Sequence, residues 1–276
     1  MALQTASAAI ARPPPKPPTF LRSKRSRAVW RYLIGALEAA KLDYGSALAG
    51  LAILADKIDT WREYADLVRK AGERYEEDSN KGSLETDESR AERRARAEVF
   101  KDLDEAGMTV VAFSRIRAID RLATNQGELF GNPLVSLDSR VDMARLPELP
   151  PWTMRPAEKR AWADLMPMLT AAGFDFSTAG LSMALLSSAI ADWFDCKQWI
   201  ADHKGRTFAV SGETGRSYEV SASYNRVKIA RQIRELLKKN GMTVYSCAKN
   251  KAMARGELVD EVLREILAFA GDRPAD

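Results

Sequence analysis

PWTMRPAEKRAW (residues 151–162) and LLKKNGMTVYSCAKNKAM (residues 236–253) bound the stretch that decides the fold. Between them lie two apolar helical patterns, a polar turn segment containing glycine, and a basic helix. The first half of the chain carries the same series. At a separation of 132 residues, Trp30 falls on Trp162, Leu33 on Leu165, Leu37 on Leu169, Asp43 on Asp175 and Trp61 on Trp193. Two inserted residues then bring Gly107-Met108-Thr109-Val110 onto Gly241-Met242-Thr243-Val244. A period of about 130 residues is too long for a solenoid, so the matches predict duplication of a whole domain.

A chain of 276 residues has room for two ordinary domains. The expected organisation is a disordered Pro-rich basic arm over 1–20, a first repeat over 21–122, a linker over 123–150, a second repeat over 151–256, and a C-terminal helix and tail over 257–276. The expected fold class is mainly α, with two tandem copies of a three-helix domain. Each copy holds a long helical hairpin, and the second also a small β-hairpin. No apolar run approaches the roughly 18 residues of a membrane span, and no membrane partner is expected. Cys196 and Cys247 are too few for a disulfide framework; buried, reduced thiols are expected.

Apolar spacings of three and four mark the helices. Val29, Trp30, Leu33, Ile34 and Leu37 form one stripe, with Ser26 as the expected N-cap. Gly35 and the matching Pro167 both weaken a helix, which predicts a bend or break at the same place in each copy. Leu48, Leu51, Leu54, Ile58, Trp61 and Val68 define a longer helix, with Asp43 or Ser46 as cap and Gly72 as stop. Leu181, Leu185, Leu186, Ile190, Trp193 and Ile200 repeat that stripe, ending near Gly205. Two short alternating runs, Thr207–Val210 and Ser217–Val220, flank a Gly-rich turn and predict a hairpin. The matching stretch of the first copy is acidic and less strand-like. Third helices are expected over 89–106 and 224–240.

The copies part in charge. Residues 73–106 hold twelve acidic and seven basic side chains, a balance of −5; residues 206–240 hold three and eight, a balance of +5. The first segment is therefore expected to repel a phosphate backbone and the second to attract one. From Met1 to Leu37 no acidic residue interrupts Arg12, Lys16, Arg22, Lys24, Arg25, Arg27 and Arg31. Such an arm reads either as a phosphate-binding element or as a solubilising tail. Beyond the second repeat, an amphipathic helix over 257–270 presents Leu258, Val262, Leu263 and Ile266 on one side. That face must cover the core or meet a partner protein.

Catalytic chemistry finds no footing in the residue pattern. His203 is the one histidine, and no Ser/His/Asp set, metal spacing or Walker-type loop can be assembled. No carboxylate stands in an apolar context that would mark it as a general acid. The expectation is a protein without enzymatic activity, metal or cofactor.

The order of Pro-rich arm, W-x-x-L-x-x-x-L, Asp-containing turn, long helix, polar segment, final helix and Gly-Met-Thr resembles the phage small terminase subunits. In that family the last segment is typically Gly-Leu-Thr-Pro followed by Ser and Arg; here Val110 and Val244 stand where the Pro would be. The resemblance covers about 100 residues in each copy. It implies a helical, non-enzymatic protein of the host-cell cytoplasm that recognises double-stranded viral DNA. Such a protein assembles as a ring and presents the genome to the large terminase subunit for packaging and virion assembly. With an acidic and a basic copy in each chain, a ring would alternate complementary surfaces and hold an even number of repeats.

The residues expected on DNA are Arg22, Lys24, Arg25 and Arg27 in the arm, with Lys228, Arg231, Arg234, Lys238, Lys239, Lys249 and Lys251 in the second copy. Their chemistry is phosphate neutralisation, and hence salt-dependent. The competing reading is a helical adaptor whose duplicated domains bind polypeptides and never touch DNA. A transcription regulator is a third, but no helix-turn-helix spacing stands out.

Overall fold

A computed structural model of the chain describes residues 15–40, 42, 44–76, 84–116, 145–172, 176–211 and 214–254. It is mainly helical, with two small antiparallel strand pairs. In chain order come α1 (Lys24–Ala39), α2 (Leu48–Ala71), β1 (Tyr75–Glu76), β2 (Leu84–Glu85), α3 (Asp87–Glu105) and α4 (residues 110–116). Then follow α5 (Pro156–Ala172), α6 (Gly180–Asp202), β3 (Phe208–Val210), β4 (Ser217–Glu219), α7 (Ser221–Lys239) and α8 (Val244–Ala254). The elements recur at nearly constant separations. Lys24 to Pro156 and Leu48 to Gly180 are 132 residues, Tyr75 to Phe208 and Leu84 to Ser217 are 133, and Asp87 to Ser221 is 134.

Each half is a helical hairpin, α1 on α2 and α5 on α6, with a third helix laid along its long member. The apolar stripes read from sequence are the buried faces, with Leu48, Ile190 and Trp193 half-buried at their margins. Trp30, Leu33 and Leu37 of α1 and Trp162, Leu165 and Leu169 of α5 all lie in one hydrophobic cluster. That cluster is continuous across the two halves, from Val29 in α1 to Leu236 in α7. α3 also packs on α6, the long helix of the other half.

The recurring Gly-Met-Thr has a mechanical meaning. Gly107 (φ 74°) and Gly241 (φ 69°) take the left-handed conformation that ends α3 and α7. Met108 N–H then donates to Leu103 C=O at 2.9 Å and Met242 N–H to Leu237 C=O at 2.8 Å, while both glycine N–H groups reach back three residues at 3.2 Å. This is the paired bonding of a Schellman stop. The threonine starts the next helix: Thr109 Oγ1 accepts from Ala112 N–H and Thr243 Oγ1 from Ser246 N–H. Each unit therefore has a fourth, short helix beyond the three expected.

Other expectations need correcting. Neither α1 nor α5 breaks: α1 runs through Gly35 and α5 through Pro167. The carbonyl that Pro167 leaves without a helical donor belongs to Ala163, on the exposed side of α5 where water can serve it. Ser26 is not the cap of α1; Ser23 is, accepting from Ser26 N–H at 2.8 Å. α2 and α6 begin without a side-chain cap, at Ala47 and Ala179, so Ser46 does not serve that role and Asp43 lies outside the described residues. The acidic segment of the first half forms a strand pair after all, Tyr75 opposite Glu85 and Glu76 opposite Leu84. Buried Tyr75 anchors it, with its hydroxyl 3.0 Å from the Cys196 sulfur of α6. The expected hairpin of the second half is present, with Phe208 opposite Glu219 and Val210 opposite Ser217.

Residues from Pro15 onward lie against the fold: Trp30 Nε1 donates to the Pro15 carbonyl, and Leu21 is buried. Leu258, Val262, Leu263 and Ile266 lie outside the described residues.

Candidate nucleic-acid interface

α7 buries Ala222, Ser223, Asn225, Ile229 and Leu236 against the rest of its half. The helical period turns Lys228, Arg231, Arg234 and Lys238 outward together, and all four are exposed. At 1.5 Å per residue the stripe is about 15 Å long. Glu235 is its one exposed acid within α7. None of the four cations forms an ion pair with another described residue. Lys228 instead lies over the Tyr224 ring one turn back, 4.2 Å from its centre. Exposed and without an ion-pair partner among the described residues, these charges are available to a polyanion.

The remaining expected residues are not all equivalent to that stripe. Lys239 donates to Asp104 of α3 at 2.5 Å and is two-thirds buried. Arg25 is held by Asp66 at 2.7 Å and by Asp59 at 3.7 Å, across α1 and α2. Arg27 is exposed but donates to the Arg22 and Ser23 carbonyls. Arg22 and Lys24 are exposed at the start of α1, on the α1–α2 hairpin rather than on α7. Lys249 is half-buried on α8; Lys251 lies on the same helix, with no described side chain. The arm and α7 therefore sit on different helical hairpins.

The acidic third helix of the first half behaves differently from its composition. Glu92 and Arg96 of α3 are fully buried. Arg96 donates to Asp192 of α6, to Ser188 Oγ at 3.3 Å and to Gln232 of α7 at 3.3 Å. Asp192, 1 % exposed, also takes Arg74 and Arg155, each at 2.6 Å. Nearby, Arg62 of α2 pairs with Glu158 of α5 at 3.4 Å and lies over the rings of Trp61 and Trp152, 5.1 and 5.3 Å from their centres. Trp61 Nε1 donates to Glu92 at 2.7 Å. Burial by itself pushes the Asp192 carboxyl up, but Arg74, Arg96 and Arg155 outweigh it and hold the group well below the usual carboxylate range. Glu158 is held below its ordinary value in the same way, burial being overcome by Arg62 and then Arg155.

Sequence reasoning missed this network. Asp192 does stand in an apolar context, between Ala191 and Trp193 on a helix with a wide buried face. That was the available signal. Three guanidiniums around it make it an anionic anchor between the halves, not a proton donor.

A cavity of about 790 Å³ lies between the C-terminal ends of α2 and α6. There His203 Nδ1 lies 2.7 Å from the Trp199 carbonyl and its ring is stacked on Trp199 at 3.8 Å. Cys196 is buried, which pushes its thiol up to about 11 and makes it a poor nucleophile. Cys247 is only half-buried, contrary to expectation, and both cysteines are free. Among the described residues no His, Cys, Asp or Glu cluster could hold a metal ion, and no helix is long and apolar enough to cross a membrane. Comparison with protein-family models, with curated proteins and with solved structures gives no match.

Proposed function

We propose that this chain binds double-stranded DNA through α7, as a duplicated small-terminase subunit that presents a viral genome to the packaging motor. The observation that carries the reading is the exposed stripe of Lys228, Arg231, Arg234 and Lys238, none in an ion pair with another described residue. Its cations neutralise backbone phosphates and release counterions, so affinity falls steeply with salt. The recurrence of helix, long helix, strand pair, helix and short helix at near-constant separation supports a doubled ancestral unit. The large ATPase-nuclease and further copies of this chain are the proposed partners. Part of the acidic-to-basic complementarity expected between ring neighbours is used inside the chain, where Asp104 meets Lys239.

Fluorescence anisotropy with a labelled duplex, at low and raised salt, tests the reading. Binding that weakens steadily as salt rises is expected. A chain that leaves the duplex free even at low salt is an adaptor for polypeptides instead.

A further inference from the structure

We infer that the cleft between α3 and α7 is a phosphate subsite shared by the two halves, and that a backbone phosphate of duplex DNA occupies it. The inference rests on the DNA-binding reading and names a contact made by the half whose charge balance argued against one. The cleft has a volume of about 280 Å³ and is lined by Arg90, Arg93 and Arg94 of α3 and by Tyr224, Asn225 and Lys228 of α7, with Glu85 and Ser221 at its edge. Four cations thus face one carboxylate. That carboxylate is already engaged: Glu85 accepts two bonds from Arg93, at 3.2 and 3.0 Å, and one from Ser89 Oγ at 3.3 Å. Arg90 is partly satisfied by Asp87 at 2.8 Å and by the Glu85 carbonyl at 3.2 Å, and Asp87 is almost fully exposed.

Two cations remain. Arg94 and Lys228 are exposed and have no carboxylate partner among the described residues. They come from different halves, yet they share one concave surface. A guanidinium-bearing and an ammonium-bearing side chain line one cleft, with Ser221 at the positive start of α7 also in its wall, and together they supply the charge that a phosphate needs. Glu219, which takes the Ser223 hydroxyl at 2.8 Å, is the nearest acid on the preceding strand and does not line the cleft. Lys228 is also the first member of the outward stripe of α7. A duplex following Lys238, Arg234 and Arg231 therefore reaches the cleft at the helix start. The first half contributes Arg94 to DNA although its net charge is negative.

The test compares Arg94→Gln, Lys228→Gln and the double variant with the wild-type chain, by anisotropy on a labelled duplex over a salt series. Arg94→Lys is the charge-conserving control, and thermal melting confirms that each variant folds. The expected result is a salt slope lowered by about 0.9 for each neutralised cation, about 1.8 for the pair, with Arg94→Lys near wild type. Arg94→Gln with an unchanged slope, while the wild-type chain binds DNA, overturns the shared subsite and leaves the α7 stripe standing. A wild-type chain that does not bind duplex at any salt overturns the function reading and this subsite with it.

Discussion

α3 packs on α2 and α7 on α6, and the two helices spend their charges in opposite ways. α3 carries the denser charge, yet Glu92 and Arg96 point inward, where Arg96 pairs with Glu92 and with Asp192 of α6 and ties the halves together. α7 carries fewer charges and turns Lys228, Arg231, Arg234 and Lys238 to solvent with no ion-pair partner among the described residues. Matched positions on the long helices differ similarly. Trp61 and Arg62 of α2 are buried under Trp152, whereas Trp193 of α6 is half-exposed beneath Lys197 and Phe194 faces solvent. Net charge is thus a weak guide to what a helix can bind. Charges consumed in buried pairs are invisible to a ligand, and unpaired ones count in full.

The comparison breaks most visibly at Asp192. Truncating one member of a buried, hydrogen-bonded ion cluster leaves uncompensated charge, so Asp192→Ala should lose about 3–5 kcal/mol in chemical denaturation. A loss below about 1 kcal/mol would mean that the network does not join the halves. Next comes Gly180, at the start of α6. An added Cβ there would meet the Tyr32 hydroxyl and lie 2.9 Å from the Glu148 carbonyl. Gly180→Ala should cost about 1–3 kcal/mol, the range of an overpacked site. Adding Tyr32→Phe should recover part of that loss in the same denaturation experiment; no recovery would place the strain elsewhere.

The acid limb of stability sharpens the contrast. Asp192 and Glu158 have folded-state values depressed below their unfolded ones. Their contribution is complete above the ordinary carboxylate range, about pH 4, and is lost as pH falls through the depressed values. Melting temperature should therefore drop below about pH 4, and more gently in Asp192→Asn than in wild type. Asp195, raised by burial and by neighbouring Asp192, has the opposite sign and offsets part of this. The smallest effect is expected at Lys239→Met, which removes a partly exposed bridge to Asp104 worth about 0–1 kcal/mol.

The helices and their buried faces were legible because apolar residues repeat at the helical period. Trp30, Leu33, Leu37 and their partners 132 residues on show the regularity directly. The stop at Gly-Met-Thr was legible as a recurring motif but not as a start signal, because Thr109 and Thr243 cap helices too short to show a stripe. Caps were misplaced by a few residues, since Ser23 and Ser26 are equally good acceptors in sequence. The shared core and the ion network were hidden. Both depend on how one half meets the other, and charged residues in helices read by default as solvent-facing. For the same reason Arg94 was counted within an acidic segment, although it lines one cleft with Lys228 of the other half.

The salt dependence of duplex binding after neutralising the outer face of α7 tests the account most directly. Arg231→Gln, Arg234→Gln and Lys238→Gln remove three exposed cations that form no ion pair among the described residues. The account predicts an intact fold with a slope lowered by about 2.7, roughly 0.9 per cation, and weaker binding at every salt concentration. A folded triple variant that binds duplex with the wild-type slope would contradict it.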